Sequence, residues 1–189
     1  MSVDKLTEEL EAKRAEIENF QYDASTRGSM RNSLSMSADE VLAEYEKNRE
    51  FYSKGGTTVT GGEPLMQGKF LIEAMAALKE KGIQSALDIS GTYVDEYTRD
   101  ALAACDLVLL DMIMPKSGGH ETFLKLKAID PDVKVLLSSG FVNESAVEDL
   151  LAQGACGFLP KPHRLPVVAK AIRDVLDGKG PVLPGVCNG

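Results

Sequence analysis

What the chain lacks narrows it before anything it contains. Its 189 residues include only three cysteines, Cys105, Cys156 and Cys187, odd in number and far apart. Neither a disulfide framework nor a CxxC metal site is therefore expected, and all three read as idle thiols. No run approaches the roughly 18 consecutive apolar residues of a membrane helix. Residues 2–16 are polar and hold no signal-peptide core, so the sequence predicts no membrane association and a cytoplasmic address. Histidine is scarce: His120 and His163 are the only two, and neither has a serine, cysteine or carboxylate at triad or metal-site spacing. Both read as surface residues near helix starts. Positive charge is also short, with 21 basic against 29 acidic residues and a net charge of -8. That balance repels phosphate backbones and gives no footprint for nucleic acid.

What is present suits a folded α/β protein. The composition is 43% hydrophobic and 26% charged, and the length supports one well-buried core plus an extra element. Val3, Leu6, Leu10, Ile17 and Phe20 form a stripe that predicts an amphipathic helix over 3–20. It can pack on its own domain or join a second chain, which makes oligomerisation through this helix a candidate. Residues 21–37 lack periodicity and read as a linker, so 1–37 form a helix-and-linker segment. Ser37, with Glu40 three residues on, then signals a capped helix start, and Val41, Leu42, Tyr45 and Phe51 supply its apolar side.

From residue 57 the chain alternates. Short β-rich runs at 57–60, 83–89, 107–110, 133–138 and 157–159 are separated by helical patterns at 66–81, 94–104, 119–129 and 144–153, with a last one at 165–177. Gly82 and Gly154 stand where helices should close in the left-handed conformation. Central runs such as LVLL predict a parallel sheet covered on both faces. The expectation is one α/β domain over 38–178, followed by a loose tail at 179–189. In such sheets ligands bind at the carboxyl ends of the strands. Attention therefore falls on Gly61 to Glu63, Asp88 to Gly91, Asp111, Ser138 to Gly140, and Lys161. Glu121, Lys125 and Lys127 read as solvated helix faces.

Residues 106–165 carry a set of motifs in order: Asp111 followed by Met112, Ile113, Met114 and Pro115; Ser139 before Gly140; Phe158; and Lys161-Pro162. On these the part spanning 106–178 resembles the second half of response-regulator receiver domains. The resemblance implies a flavodoxin-like five-stranded parallel sheet and a signalling module rather than an enzyme. It makes Asp111 the phosphoacceptor, Ser139 the switch hydroxyl, Lys161 the phosphate-binding cation and Phe158 the switch aromatic. It also implies a histidine kinase or other signalling partner in a two-component phosphorelay, and Mg²⁺ or another cation. The chemistry is coherent: a carboxylate nucleophile, an ammonium to neutralise phosphoryl charge, and a hydroxyl to bind the acyl phosphate. The adjacent acidic pair that holds the metal in receivers follows no strand here, so a degenerate receiver is the alternative.

Residues 38–105 carry a different signature, the run TVTGGEP at 58–64. This part resembles the radical S-adenosylmethionine activases of glycyl-radical enzymes. The resemblance implies that Gly61, Gly62 and Glu63 meet the methionine end of that cofactor. The cysteines of the cluster loop are missing from 21–37, so no iron-sulfur cluster and no radical chemistry are expected. The two resemblances meet at LVLLD, which predicts a chimera. Two alternatives stand beside the signalling reading: a non-catalytic fold chimera, natural or designed, and a remnant S-adenosylmethionine-binding protein. Joining the parts predicts strand order 1-2-3-4-5, with the crossover helices on one face and the N-terminal and last helices on the other. Asp88 would then end the strand beside Asp111, where the two carboxylates can share a cation; otherwise Asp88 caps a turn with Ser90.

Overall fold

A computed structural model of the chain describes residues 36–52, 55–93, 95–112, 118–140 and 144–182. The predicted helix over 3–20, nearly all of the linker, and Ile113 to Pro115 lie outside the described residues.

Helix α1 (Ala38–Lys47) begins at the expected capping box: Glu40 N donates to Ser37 Oγ at 3.3 Å and Ser37 N donates to the Glu40 carboxylate at 2.8 Å. Five strands follow, β1 (Thr57–Val59), β2 (Ser85–Ile89), β3 (Leu107–Asp111), β4 (Val135–Ser139) and β5 (Gly157–Pro160). Between them run α2 (Gly68–Glu80), α3 (Thr98–Ala104), α4 (Gly119–Ile129) and α5 (Glu144–Ala152), and α6 (Leu165–Leu176) closes the series. All strand pairs are parallel and the spatial order is β1-β2-β3-β4-β5. The predicted order and fold class are those observed.

Strand alternation divides the core into two layers. Leu87, Ile89, Val108, Leu110, Val135, Leu137 and Phe158 face one side, where Leu71 and Met75 of α2, Leu102 of α3, Phe123 and Leu126 of α4, and Leu150 of α5 cover them. Four crossovers in one direction, all of one hand, put every connecting helix on this face. Ala86, Leu107, Leu109, Leu136 and Leu159 face the other side and meet Ala171 and Val175 of α6. β3 and β4 are buried on both faces, which is why they read as unbroken apolar runs.

Three expectations need correction. Helix α1 does not cover the second face: it packs beside α2, and none of its residues is buried. Of the segment expected to be a loose tail, residues 179–182 are described, and these return to the sheet at Val182. Val182 lies parallel to Gly157, its oxygen accepting from Phe158 N at 2.8 Å and its nitrogen donating to Cys156 O at 3.0 Å. Lys127 is not a solvated charge either, because its Nζ donates to the Pro131 and Val133 carbonyls at 3.0 and 2.8 Å, tying α4 to the turn before β4. Glu121 and Lys125 do form an exposed pair at 2.8 Å. Gly82 and Gly154 adopt φ of 70° and 95°, as helix ends in the left-handed region require. Burial pushes the Cys105 thiol up to about 12, so it is an inert core group.

Candidate functional site

The carboxyl ends of β2 to β5 form one rim. Asp111 is placed there by LVLL, whose four buried side chains fix β3 in register between its neighbours. In that register Asp111 pairs with Ser138, Ser138 with Leu159, and Ser139 with Pro160. Two backbone bonds brace the strand ends: Met112 N donates to Ser138 O at 2.8 Å, and Lys161 N to Ser139 O at 2.7 Å. The Lys161-Pro162 peptide bond is cis.

From this frame Lys161 Nζ reaches Asp111 Oδ2 at 2.6 Å. Asp111 ends β3 and Lys161 follows β5, so the pair bridges the end of β4. The Lys161 and Asp111 side chains are 40% and 24% exposed, which leaves the pair within reach of solute. A carboxylate with an ammonium on one oxygen, at a solvent-facing strand end, can accept an electrophile while the cation neutralises the charge that arrives with it.

The other predicted residues are placed unequally. Ser139 is 3% exposed and, by alternation, falls on the face of Leu137 and Phe158, opposite that of Asp111. Phe158 is buried on that same face beneath it. Asp88 shares Asp111's face, since Ala86 and Leu109 both belong to the layer under α6. Its register partner is Leu109, two residues short of Asp111, which from strand spacing and rise puts the two aspartates about 8 Å apart at Cα. Asp88 Oδ2 accepts a hydrogen bond from Thr60 Oγ1 at 2.8 Å. The alternative cap on Ser90 is replaced: Ser90 Oγ is engaged with Glu63 Oε2 and lies 2.8 Å from Thr92 Oγ1.

Glu63 is the fastener of the β1 end of the rim. Its Oε1 accepts from Leu65 N at 3.4 Å, capping the short 3-10 turn Pro64–Gln67, while Oε2 accepts from Ser90 N at 3.1 Å and Thr92 Oγ1 at 3.4 Å. Gly61 and Gly62 have φ of 101° and 54°, and a Cβ on either would meet nothing within 4 Å. Here glycine serves the sharp turn of the backbone rather than the relief of crowding. Gly91 differs: its φ is 70°, and a Cβ would come within 2.2 Å of the Thr122 methyl, because the loop after β2 rests on the first turn of α4. Of the histidines, His120 is exposed and His163 is partly buried, with a buried Nδ1 that has no hydrogen-bond partner.

Sequence reasoning missed the role of Ser138, which it grouped with Ser139 and Gly140 at a strand end without distinction. Ser138 is 2% exposed, its Oγ has no hydrogen-bond partner, and it stands level with Asp111 on the same face. The signal lay in the doublet VLLSS: of two successive strand residues, one must face the side of Asp111.

No group of three or more His, Cys, Asp and Glu side chains is gathered for a metal among the described residues. Two carboxylates on one face of neighbouring strands do fit the usual handling of Mg²⁺, which is held by one or two carboxylates with phosphate oxygens and water completing its shell. No helix among the described residues is long and apolar enough to cross a membrane.

The fold and site define an α/β module, a five-stranded parallel sheet with an aspartate and a lysine meeting at its carboxyl rim. Residues 73–173 match the model of the response regulator receiver domain, and with more than half of its length matched the chain belongs to that family. Its relatives come from unlike families. Over 101 residues it is 29% identical to the sensor kinase CckA of Brucella abortus, covering 53% of this chain and 11% of that one. Over 95 residues it is 34% identical to the (2S)-3-sulfopropanediol dehydratase activating enzyme of Klebsiella oxytoca, covering 49% and 30%. A shorter match, 66% over 44 residues, relates it to glutamate--tRNA ligase of Bacteroides thetaiotaomicron, covering 23% and 9%. The chain thus spans less than a third of the length of each of these relatives. Among solved structures, a response regulator receiver domain protein (CheY-like) from Methanospirillum hungatei JF-1 aligns at 19% identity with a TM-score of 0.41, covering 65% of this chain and 92% of that one. The expected kinship with both receivers and activating enzymes is present.

Proposed function

We propose that this chain is a signalling receiver in which Asp111 accepts a phosphoryl group. The observation that carries the reading is the 2.6 Å contact between Lys161 and Asp111 at the rim of a receiver-family sheet. An Asp111 carboxylate oxygen attacks phosphorus, the bond to the donor's leaving group breaks, and an acyl phosphate forms. Lys161 follows the charge onto the phosphoryl oxygens, and Ser139 with Phe158 beneath it forms the responsive end of β4 and β5. Mg²⁺, when bound, would be held by Asp111 and Asp88 and would offset phosphoryl charge. The natural donor in this reading is the phosphohistidine of a kinase partner. Incubation of the parent and Asp111→Asn with acetyl phosphate and Mg²⁺ tests it by intact mass. The parent should gain one phosphoryl group and the variant none; no gain in the parent defeats the proposal.

One observation favours a second reading, a folded chimera without activity. Thr60 bonds Asp88, and no neighbouring acidic residue completes the acidic pair of a working receiver. A parent that neither gains mass nor shifts its melting temperature with Mg²⁺ would support that reading. Binding of S-adenosylmethionine at Gly61, Gly62 and Glu63 is the remaining alternative. The Glu63 carboxylate is already engaged by Leu65, Ser90 and Thr92, so calorimetry is expected to show no heat.

A further inference from the structure

Ser138 is a buried hydroxyl without a partner beside the reactive carboxylate. Leaving such a group unbonded is unfavourable, and a neutral replacement by alanine or valine would remove the cost. Its position is central to the rim. Asp111 lies to one side of it on β3, while Leu159 and then Lys161 lie on the other side along β5. The Lys161–Asp111 contact therefore closes over the end of β4 where Ser138 sits. A side chain much larger than serine at this place would stand between the two partners.

We infer that Ser138 is a positioning residue of the Asp111 site, held in reserve under the ion pair and engaged only once Asp111 carries a phosphoryl group. The inference rests on the phosphoacceptor reading. When the ammonium moves from the carboxylate to the phosphoryl oxygens, the carboxyl oxygen that does not bear phosphorus becomes a carbonyl and loses its cation. Ser138 lies level with Asp111 on the neighbouring strand and on the same face, and rotation about its Cα–Cβ bond would turn its hydroxyl toward that oxygen as a donor. No covalent bond to Ser138 is made or broken. The hydroxyl unpaired in the resting state is paired in the loaded one, so it favours the loaded state selectively.

Beryllofluoride, which mimics the phosphoryl group on a carboxylate, is the probe. Its affinity for the full chain is measured in the presence of Mg²⁺ by ¹⁹F NMR titration, alongside the melting temperature without ligand. Ser138→Ala is expected to bind about five- to tenfold more weakly, the size of one hydrogen bond, while melting no lower than the parent. Ser138→Thr, which keeps the hydroxyl, is expected to recover most of the affinity. If the parent binds and Ser138→Ala binds equally well, the inference is overturned while the phosphoacceptor reading stands. A clear fall in the melting temperature of Ser138→Ala also overturns it, since the hydroxyl would then be bonded in the resting protein. No binding by the parent removes the phosphoacceptor reading and this inference with it.

Discussion

Asp111 and Lys161, 50 residues apart in the chain, are joined at 2.6 Å across the width of β4. Both side chains are partly open to water, so the pair is worth little to folding and its significance lies in the charge it places at the rim.

Lys161→Met should accordingly lower stability by no more than about 1 kcal/mol in urea denaturation. Its phosphorylation by acetyl phosphate should nevertheless fall by at least about tenfold, as expected for removing the cation that meets phosphoryl charge. A large stability loss with normal phosphorylation would reverse this assignment.

Glu63→Ala should release the TGGEP loop from the loop after β2. Four donors from Leu65, Ser90 and Thr92 lose their acceptor, at a cost of about 1–3 kcal/mol. Hydrogen exchange should quicken at the Ser90 amide before it does in β3. Glu63→Gln, which retains one acceptor, should lose less.

Gly91→Ala should cost about 1–3 kcal/mol, because φ of 70° disfavours any side chain and the new methyl would strike Thr122. Gly118→Ala has neither constraint and serves as the control, with a Cβ meeting nothing within 4 Å. Denaturant midpoints distinguish the two.

Cys105 makes a pH prediction. Its thiol is raised from 9.0 to about 12 chiefly by burial, so the folded state holds the proton more tightly than the unfolded one. The contribution is fully present below pH about 9 and is lost as pH rises towards about 12. Stability should fall more steeply over that window in the parent than in Cys105→Ala. At pH 8 the Cys105 peptide should be alkylated about a thousandfold more slowly in the native than in the denatured protein, read by mass mapping.

Much of this architecture was legible in the sequence because parallel strands buried on both sides announce themselves. LVLLD and VLLSS lie where expected, and the helices α4 and α5 match their predicted limits to within a residue. Ile83 and Val133, which the sequence predicts to lie in strands, belong to the turns leading in. Their nitrogens bond back to Leu78 O and Asp130 O, and their side chains are buried without ladder pairing. Apolar character reports burial, and pairing is a separate matter. α3 starts at Thr98 rather than at 94 because Asp95 and Thr98 exchange bonds, with Asp95 N donating to Thr98 Oγ1 at 2.9 Å and Tyr97 N to Asp95 Oδ1 at 3.0 Å. For the site, motif order singles out Asp111 and Lys161 as candidates, and their contact needs only strand order. Ser138, the Thr60–Asp88 bond and the Glu63 clasp depend on register between strands, which a single sequence does not carry.

The strand order also decides how such a protein can be assembled from parts. Because each strand lies next to its successor, a cut between any two neighbouring strands divides the sheet into two contiguous parts that meet along a single ladder. Had the first strand been threaded between the second and third, a cut after the first strand would have left two borders to fit at once. One compatible border is enough here, so the front of the gene can be exchanged while the strands that bear Asp111 and Lys161 remain side by side.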